Sequence, residues 1–361
     1  HMKKLKIVVF IPSLGRGGAE QSILTLTSNF IKKGHEVFLI VSKKVSNEKS
    51  IPQNINVQYL NKKRTIFSIN KLRKKLLDIQ PDIVISTLPT SNFLNVLISK
   101  SKKFKYKAYI REASTSCLLW DKDLLSRIHG ILSKYTFRNA TGIIYISNEL
   151  KNITTNAVEN PVSNSIAIYN PIVSSDFLEK SSEEIVDPSY DPIKEVWVVG
   201  SRLEDYKGVE LLIEAVRRLK DSRNLNLYIL GTGSQKTYLE EKSRGLPILF
   251  LDYVDNPLPW YKAADLFFLP SYREGLGNAL IEAQLLGTTA IASDCPSGPK
   301  EIIQLFNNGI NFGVGDLSDL IEKIQSVNIV KDKKAEIDKF NYFDEDKVAD
   351  EYLKFFTGLS K

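Results

Sequence analysis

Cysteine and histidine are scarce in this chain of 361 residues, which has two of the first and three of the second. Cys117 and Cys295 stand too far apart for a metal or redox spacing, so reduced structural thiols are the expectation. His1-Met2 reads as an expression scar, which leaves two native histidines. His35, in Gly-His-Glu-Val, reads as a structural residue ahead of a strand, and His129 as a helix-surface residue. No apolar run approaches the ~20 residues that a bilayer span needs. Lys3, Lys4 and Lys6 lead into a short strand, not into the long apolar region of a signal peptide. A cytoplasmic location is therefore expected. Ser-His-Asp, metal-triad and P-loop patterns are all missing. Asp121-Lys122-Asp123 and Asp344-Glu345-Asp346 imitate a metal-binding D-x-D, but neither follows a buried strand, and both read as solvated acidic turns. Neither a metal nor a cofactor is expected.

Charge is unevenly spread. Residues 1–180 carry 28 basic and 12 acidic side chains, and residues 181–361 carry 21 and 30. Such a change of sign marks two surfaces of different character. Two dense basic stretches, Lys62 to Lys75 and Lys100 to Lys107, interleave cations with Ile66, Phe67, Ile69, Phe104 and Tyr106. That mixture suits an anionic membrane surface, at about 1 kcal/mol per cation. It carries no nucleic-acid-binding motif.

Short apolar runs alternate with helical patterns. Lys6–Ile11 (KIVVFI) reads as a strand buried on both faces. The turn Gly15-Arg16-Gly17-Gly18 and a helix from Ala19 follow it, then a strand at 36–41. Further strands are expected at 57–60, 83–86, 107–110, 142–146 and 165–168, with helices at 68–80, 91–100, 121–138 and 147–157. Asn170-Pro171 stops the pattern, and the polar stretch 174–194 reads as an interdomain linker. A second alternation places strands at 195–200, 225–230, 248–251, 266–269 and 289–293, with helices at 208–220, 235–244, 259–264, 278–286 and 316–325. Residues 344–356 form a final amphipathic helix. The expected class is α/β: two Rossmann-like, doubly wound parallel-sheet domains facing a cleft. Residues 1–180 make the first domain and 190–340 the second.

In such sheets ligands bind outside the carboxyl ends of the strands, and three motifs fall there. Gly15-Arg16-Gly17-Gly18-Ala19-Glu20 opens a helix, where glycines admit a phosphate or sugar close to the backbone. It is not G-x-G-x-x-G, and the second strand ends in Val41-Ser42-Lys43 without an acid for an NAD ribose. Gly200-Ser201-Arg202 and Lys207-Gly208 bring two cations to a strand end, able to neutralise a diphosphate. Glu274-Gly275-Leu276-Gly277-Asn278 leads into a helix carrying Glu282. Amides at 275–278 face a phosphate there, while the two carboxylates accept hydroxyl protons from sugar and ribose.

These residues resemble the retaining glycosyltransferases of family 4, which have the GT-B fold. The resemblance covers nearly the whole chain and is strongest over Pro270–Ile302, with E-x7-E at Glu274 and Glu282 followed by a Gly-Pro-x-Glu segment. GRGGAE, YNP at 169–171 and SRLEDYKG match other landmarks in order. The resemblance implies that Arg202 and Lys207 clamp the donor diphosphate, that Glu282 holds the ribose and that Glu274 faces the donor sugar. It places Tyr253-Val254 against the base, and Gly17 and Gly18 near the donor phosphates and the acceptor. It makes residues 1–180 the acceptor-binding domain and 190–340 the nucleotide-sugar-binding domain, with the helix at about 340–361 returning to the first. Many members carry a histidine where this chain reads Arg111-Glu112-Ala113-Ser114, so Arg16, Arg111 and Glu112 are the acceptor-side candidates. Asp252 stands where the family often has glycine. The implied activity is metal-independent, retaining transfer from a UDP-sugar, with a GDP-sugar as the alternative donor. The acceptor would be a glycan, polyprenyl-diphosphate-linked, in surface polysaccharide assembly at the inner membrane face. A UDP-sugar epimerase of the same fold and a non-catalytic sugar-nucleotide-binding module are the competing readings.

Overall fold

The computed structural model of the chain describes residues 3–15, 17–46, 50–115 and 124–358. Arg16, Cys117, Asp121 and Asp123 lie outside the described residues. The chain divides into two compact units, one of residues 1–172 with 342–361 and one of residues 173–341.

In the first unit the apolar runs become β1 (Lys6–Ile11), β2 (Glu36–Val41), β3 (Val57–Tyr59), β4 (Ile83–Thr87), β5 (Lys107–Glu112), β6 (Gly142–Tyr145) and β7 (Ser165–Ala167). They form a parallel sheet in the order β3-β2-β1-β4-β5-β6-β7. Strands buried on both faces need helices on both sides, and these are supplied between successive strands. The second unit holds β8 (Glu195–Gly200), β9 (Leu225–Leu230), β10 (Ile248–Phe250), β11 (Leu266–Leu269), β12 (Ala290–Ser293) and β13 (Gly309–Phe312). Its parallel order is β10-β9-β8-β11-β12-β13. Each unit is Rossmann-like, and its strand order reverses once, between β1 and β4 or between β8 and β11. Those switch points are where ligands of such sheets bind.

The final helix, Glu345–Thr357, belongs to the first unit, as the family resemblance implied. Asp344 caps it, accepting from the amides of Asp346 and Lys347 at 3.1 and 2.9 Å, so the acidic D-x-D here is a helix start. Val348, Tyr352, Leu353 and Phe356 enter the core beside Phe30 and Tyr109. Tyr352 meets Arg111, a guanidinium with no solvent exposure. Arg111 donates from Nε to the Tyr352 hydroxyl (3.2 Å), from Nη2 to Asn170 Oδ1 (2.6 Å) and from Nη1 to Thr87 Oγ1 (3.4 Å). A buried cation is tolerable only with such partners. Tyr352→Phe should therefore lower stability by about 1–2 kcal/mol, seen as a shifted denaturant midpoint at unchanged slope.

Residues 174–194 are not a free linker. The short helix Phe177–Ser181 packs on the second unit, with Phe177 edge-on to Phe340 at 5.6 Å. Tyr190 meets Trp260 at 5.5 Å and Tyr228 at 6.2 Å, and the Tyr228 hydroxyl donates to Ser189 O and accepts from the Asp191 amide. Aromatic burial outweighs the polar composition of the segment, so the boundary falls at 172–173 and not near 180.

Candidate active site

Strand β8 runs straight into the loop that carries the predicted cations. Gly200 ends the strand because a Cβ there would lie 2.1 Å from the Tyr261 hydroxyl. The loop then turns through Asp205–Lys207 to Gly208, whose φ is +65° and where a Cβ would lie 2.1 Å from Pro270 O. Only glycine permits that approach. It joins the loop after β8 to the loop after β11, and Tyr272 N donates to Tyr206 O at 2.8 Å across the join.

At this junction Lys207 Nζ sits 2.6 Å from Glu274 Oε1, with the side chains 14% and 8% exposed. The Ser271 hydroxyl donates to the same carboxylate oxygen at 2.7 Å. Ser271 is itself anchored, since its carbonyl accepts from Ser293 Oγ. Arg202 Nη2 donates to the Tyr206 hydroxyl at 2.8 Å. The Tyr206 ring also lies 5.0 Å from the Arg273 guanidinium and 5.5 Å from Lys207 Nζ. Three cations thus gather around one tyrosine at the β8–β11 switch point. Glu204 ties this loop to the turn after β9, accepting from Ser234 N and Oγ at 3.2 and 2.6 Å, and those bonds hold its carboxyl below the usual range.

The segment after Glu274 is clamped from behind. Ser297 Oγ donates to Gly275 O, and a Cβ on Gly298 would stand 2.8 Å from Leu276 Cα. Gly277, at φ +83°, starts the helix Asn278–Leu285, whose first internal bond runs from Ile281 N to Gly277 O at 3.1 Å. The amides of 278–280 precede that bond and point out of the helix end, a geometry that suits an anion. Glu282 is half-buried one turn inside. Burial, and after it the Glu282 charge, raises the pKa of Tyr261, whose hydroxyl lies against Gly200.

Asp252 occupies a left-handed backbone, φ +54°, after β10. Glycine adopts that conformation freely and aspartate tolerates it. Its carbonyl accepts from Gly231 N at 2.6 Å, and its carboxylate pairs with Lys236. Tyr253 beside it is 48% exposed and Val254 half-buried.

In the first unit, Gly17 precedes the helix Gly18–Lys32, and the Glu20 carboxylate folds over it, 2.1 Å from where a Cβ would be. Arg111 is turned inward to Tyr352, away from any acceptor-side role that needs exposure. Its neighbour Glu112 ends β5, accepting from Ser114 N at 3.0 Å and Ser114 Oγ at 2.9 Å. Burial pushes the Glu112 carboxyl up to about 7, against the opposing pull of Ser114 and Arg111. His35 is buried, its Nδ1 accepting from Leu5 N at 3.1 Å, and His129 is exposed on its helix.

Arg202, Lys207, Glu274, the 275–278 turn, Glu282 and Tyr253-Val254 all fall in the second unit, and Gly17, Gly18, Arg111 and Glu112 in the first. Sequence reasoning missed Tyr206, Ser271, Arg273 and Tyr261. A signal existed for two of them: Tyr206 lies inside SRLEDYKG, and Arg273 adjoins Glu274. Of the two basic stretches, the first exposes its apolar side chains, Ile66 at 39% and Phe67 at 62%. The second buries Phe104 and Tyr106, which differs from the mixed surface expected there. Among the described residues no helix is long and apolar enough to cross a membrane.

Comparison with known proteins bears on the family and the fold. Residues 16–175 match the family model for Glycosyltransferase Family 4, and residues 194–328 match that for Glycosyl transferases group 1. The chain is 27% identical, across 98% of its length and all of the relative's, to an N-acetylgalactosamine-N,N'-diacetylbacillosaminyl-diphospho-undecaprenol 4-alpha-N-acetylgalactosaminyltransferase of Campylobacter jejuni. A second C. jejuni enzyme, an alpha-1,4-N-acetyl-D-galactosaminyltransferase acting on a diNAcBac-PP-undecaprenol glycan, is 27% identical over 90% of this chain and 89% of its own. The crystal structure of Anabaena HepE in complex with UDP-glucose superposes with a TM-score of 0.68 at 15% identity, covering 98% of each chain. With a parallel-sheet unit in each half and a family model matching each, the chain belongs to the glycosyltransferases of family 4 and has the GT-B fold.

Proposed function

We propose that this glycosyltransferase moves a sugar from a UDP-sugar to a glycan carried on a polyprenyl diphosphate, with retention at the anomeric carbon. The observation that carries the reading is the meeting of Arg202, Lys207 and Glu274 at the β8–β11 switch point. The names of the two C. jejuni relatives support the lipid-diphosphate acceptor, and the UDP-glucose complex supports the donor class. In this mechanism the bond from the anomeric carbon to the diphosphate oxygen breaks while Arg202, Lys207 and the 278–280 amides take up the departing charge. The acceptor hydroxyl attacks on the face the diphosphate leaves and passes its proton to the departing phosphate oxygen, so no separate base is needed. Glu282 binds the ribose, and Glu274 orients the sugar. Fixed cations and helix amides take the place of a metal in this reading, so turnover should survive EDTA.

The test is a panel of UDP- and GDP-sugars, following nucleotide diphosphate release with and without a polyprenyl-diphosphate-linked glycan. Acceptor-dependent release from one UDP-sugar is the expected result. Interconversion of the sugar without release would indicate an epimerase, and binding without turnover a non-catalytic module. Either outcome overturns the proposal.

The same reading places the enzyme peripherally on the inner face of the membrane. Lys62, Lys63 and Arg64 precede the turn Thr65–Ser68, whose exposed Phe67 follows the carboxyl end of β3. Removing each cation should weaken binding to anionic vesicles about fivefold. The effect should fade at high salt. Unchanged co-sedimentation of the triple glutamine variant would refute this attachment.

A further inference from the structure

Charge accounting at the donor site leaves the two expected cations short. A nucleoside diphosphate linked to a sugar carries about two negative charges at neutral pH, and the departing diphosphate carries nearly three. Lys207 already shares its charge with Glu274 at 2.6 Å, so the pair sums to zero. Arg202 donates to the neutral Tyr206 hydroxyl and also feels the Glu204 carboxylate, so it offers at most one positive charge. The deficit grows as the bond breaks. Arg273 lies on the other loop of the same junction, its guanidinium 5.0 Å from the centre of the Tyr206 ring, also held by a neutral partner.

Resting on the donor-site reading above, we infer that Arg273 is a third cation for the donor diphosphate and that Tyr206 is the positioning residue that gathers Arg202 and Arg273 for it. Tyr206 is suited to this role because it uses two different parts. Its hydroxyl fixes the Arg202 fork, and its ring face attracts the Arg273 cation. The backbone bond from Tyr272 N to Tyr206 O keeps the two loops in register, so both guanidinium groups remain in place when no donor is bound. Such preorganisation lowers the entropy lost on binding. The extra charge that develops on the leaving group makes Arg273 matter more to turnover than to donor affinity.

The experiment measures affinity for UDP, GDP, UMP and uridine by titration calorimetry in the full chain and in Arg273→Gln, Tyr206→Phe, Tyr206→Leu and Arg202→Gln. Arg273→Gln should weaken the better-bound nucleoside diphosphate on the order of tenfold. The monophosphate should weaken less and uridine not at all, and the loss should shrink at high salt. In a Tyr206→Leu background the same substitution should have a smaller effect, which a merely structural role would not produce. Tyr206→Phe keeps the ring and should spare the Arg273 contribution while reducing that of Arg202. Wild-type diphosphate affinity in Arg273→Gln, alongside a loss in Arg202→Gln, would overturn the inference and leave the proposed function standing. If the full chain binds neither UDP nor GDP, both fall together.

Discussion

Lys207→Met is expected to lower turnover at saturating donor by roughly 10²–10³-fold, the usual loss when one donor to a developing anion is removed. The same change strands Glu274, which is 8% exposed and would keep only the Ser271 hydroxyl. Breaking a buried pair from one side costs about 3–5 kcal/mol, so the variant should also unfold at a lower temperature. These two effects can be separated. Lys207→Met with Glu274→Gln replaces the buried pair by neutral groups and should recover much of the stability, because Gln still accepts from Ser271. It should recover none of the turnover. Restored turnover in the double variant would show that Lys207 serves the fold and not the donor.

Glu112→Gln is expected to be more stable than the parent at neutral pH and above. The folded carboxyl keeps its proton up to about 7, whereas the unfolded chain releases it near the ordinary 4.5. Its contribution to stability is therefore complete below about pH 4.5, falls as pH rises towards 7, and is level above that. The shift is worth roughly 3 kcal/mol. Glutamine mimics the protonated form at every pH, so parent and variant should match near pH 4 and diverge to about this amount by pH 8. Denaturant titrations across that range read it directly. Equal stability of parent and variant at pH 8 would contradict a carboxyl held protonated by burial.

Strands buried on both faces were legible because a run such as KIVVFI or EVWVVG has few other uses in a soluble chain. β13 and the helix Pro299–Phe306 were not expected as elements. GINF is short and half-buried, and it opens at Gly309 with φ +157° after Asn307 in the left-handed region. The cations and the first carboxylate of the site were legible by a different route: Arg202, Lys207 and Glu274 lie on loops that follow buried strands, where a charge has no core to serve. Tyr206 and Arg273 lie on those same loops, yet an aromatic or a cation on a loop follows no periodicity. Arg111 shows the opposite failure. A lone arginine reads as exposed, and only the return of the last helix reveals that Tyr352 and Asn170 enclose it. Residues 174–194 misled through their polar composition, since two aromatic anchors, Phe177 and Tyr190, were enough to dock them.

The central claim is that the junction of the β8 and β11 loops is where the nucleotide diphosphate departs. Arg202 tests it most directly, because its side chain is exposed and its hydrogen bond runs to the Tyr206 hydroxyl, outside the core. Steady-state release of nucleotide diphosphate by Arg202→Ala, measured at saturating donor and acceptor, should fall by roughly 10²–10³-fold with an unchanged unfolding temperature. Turnover near that of the parent would contradict the account.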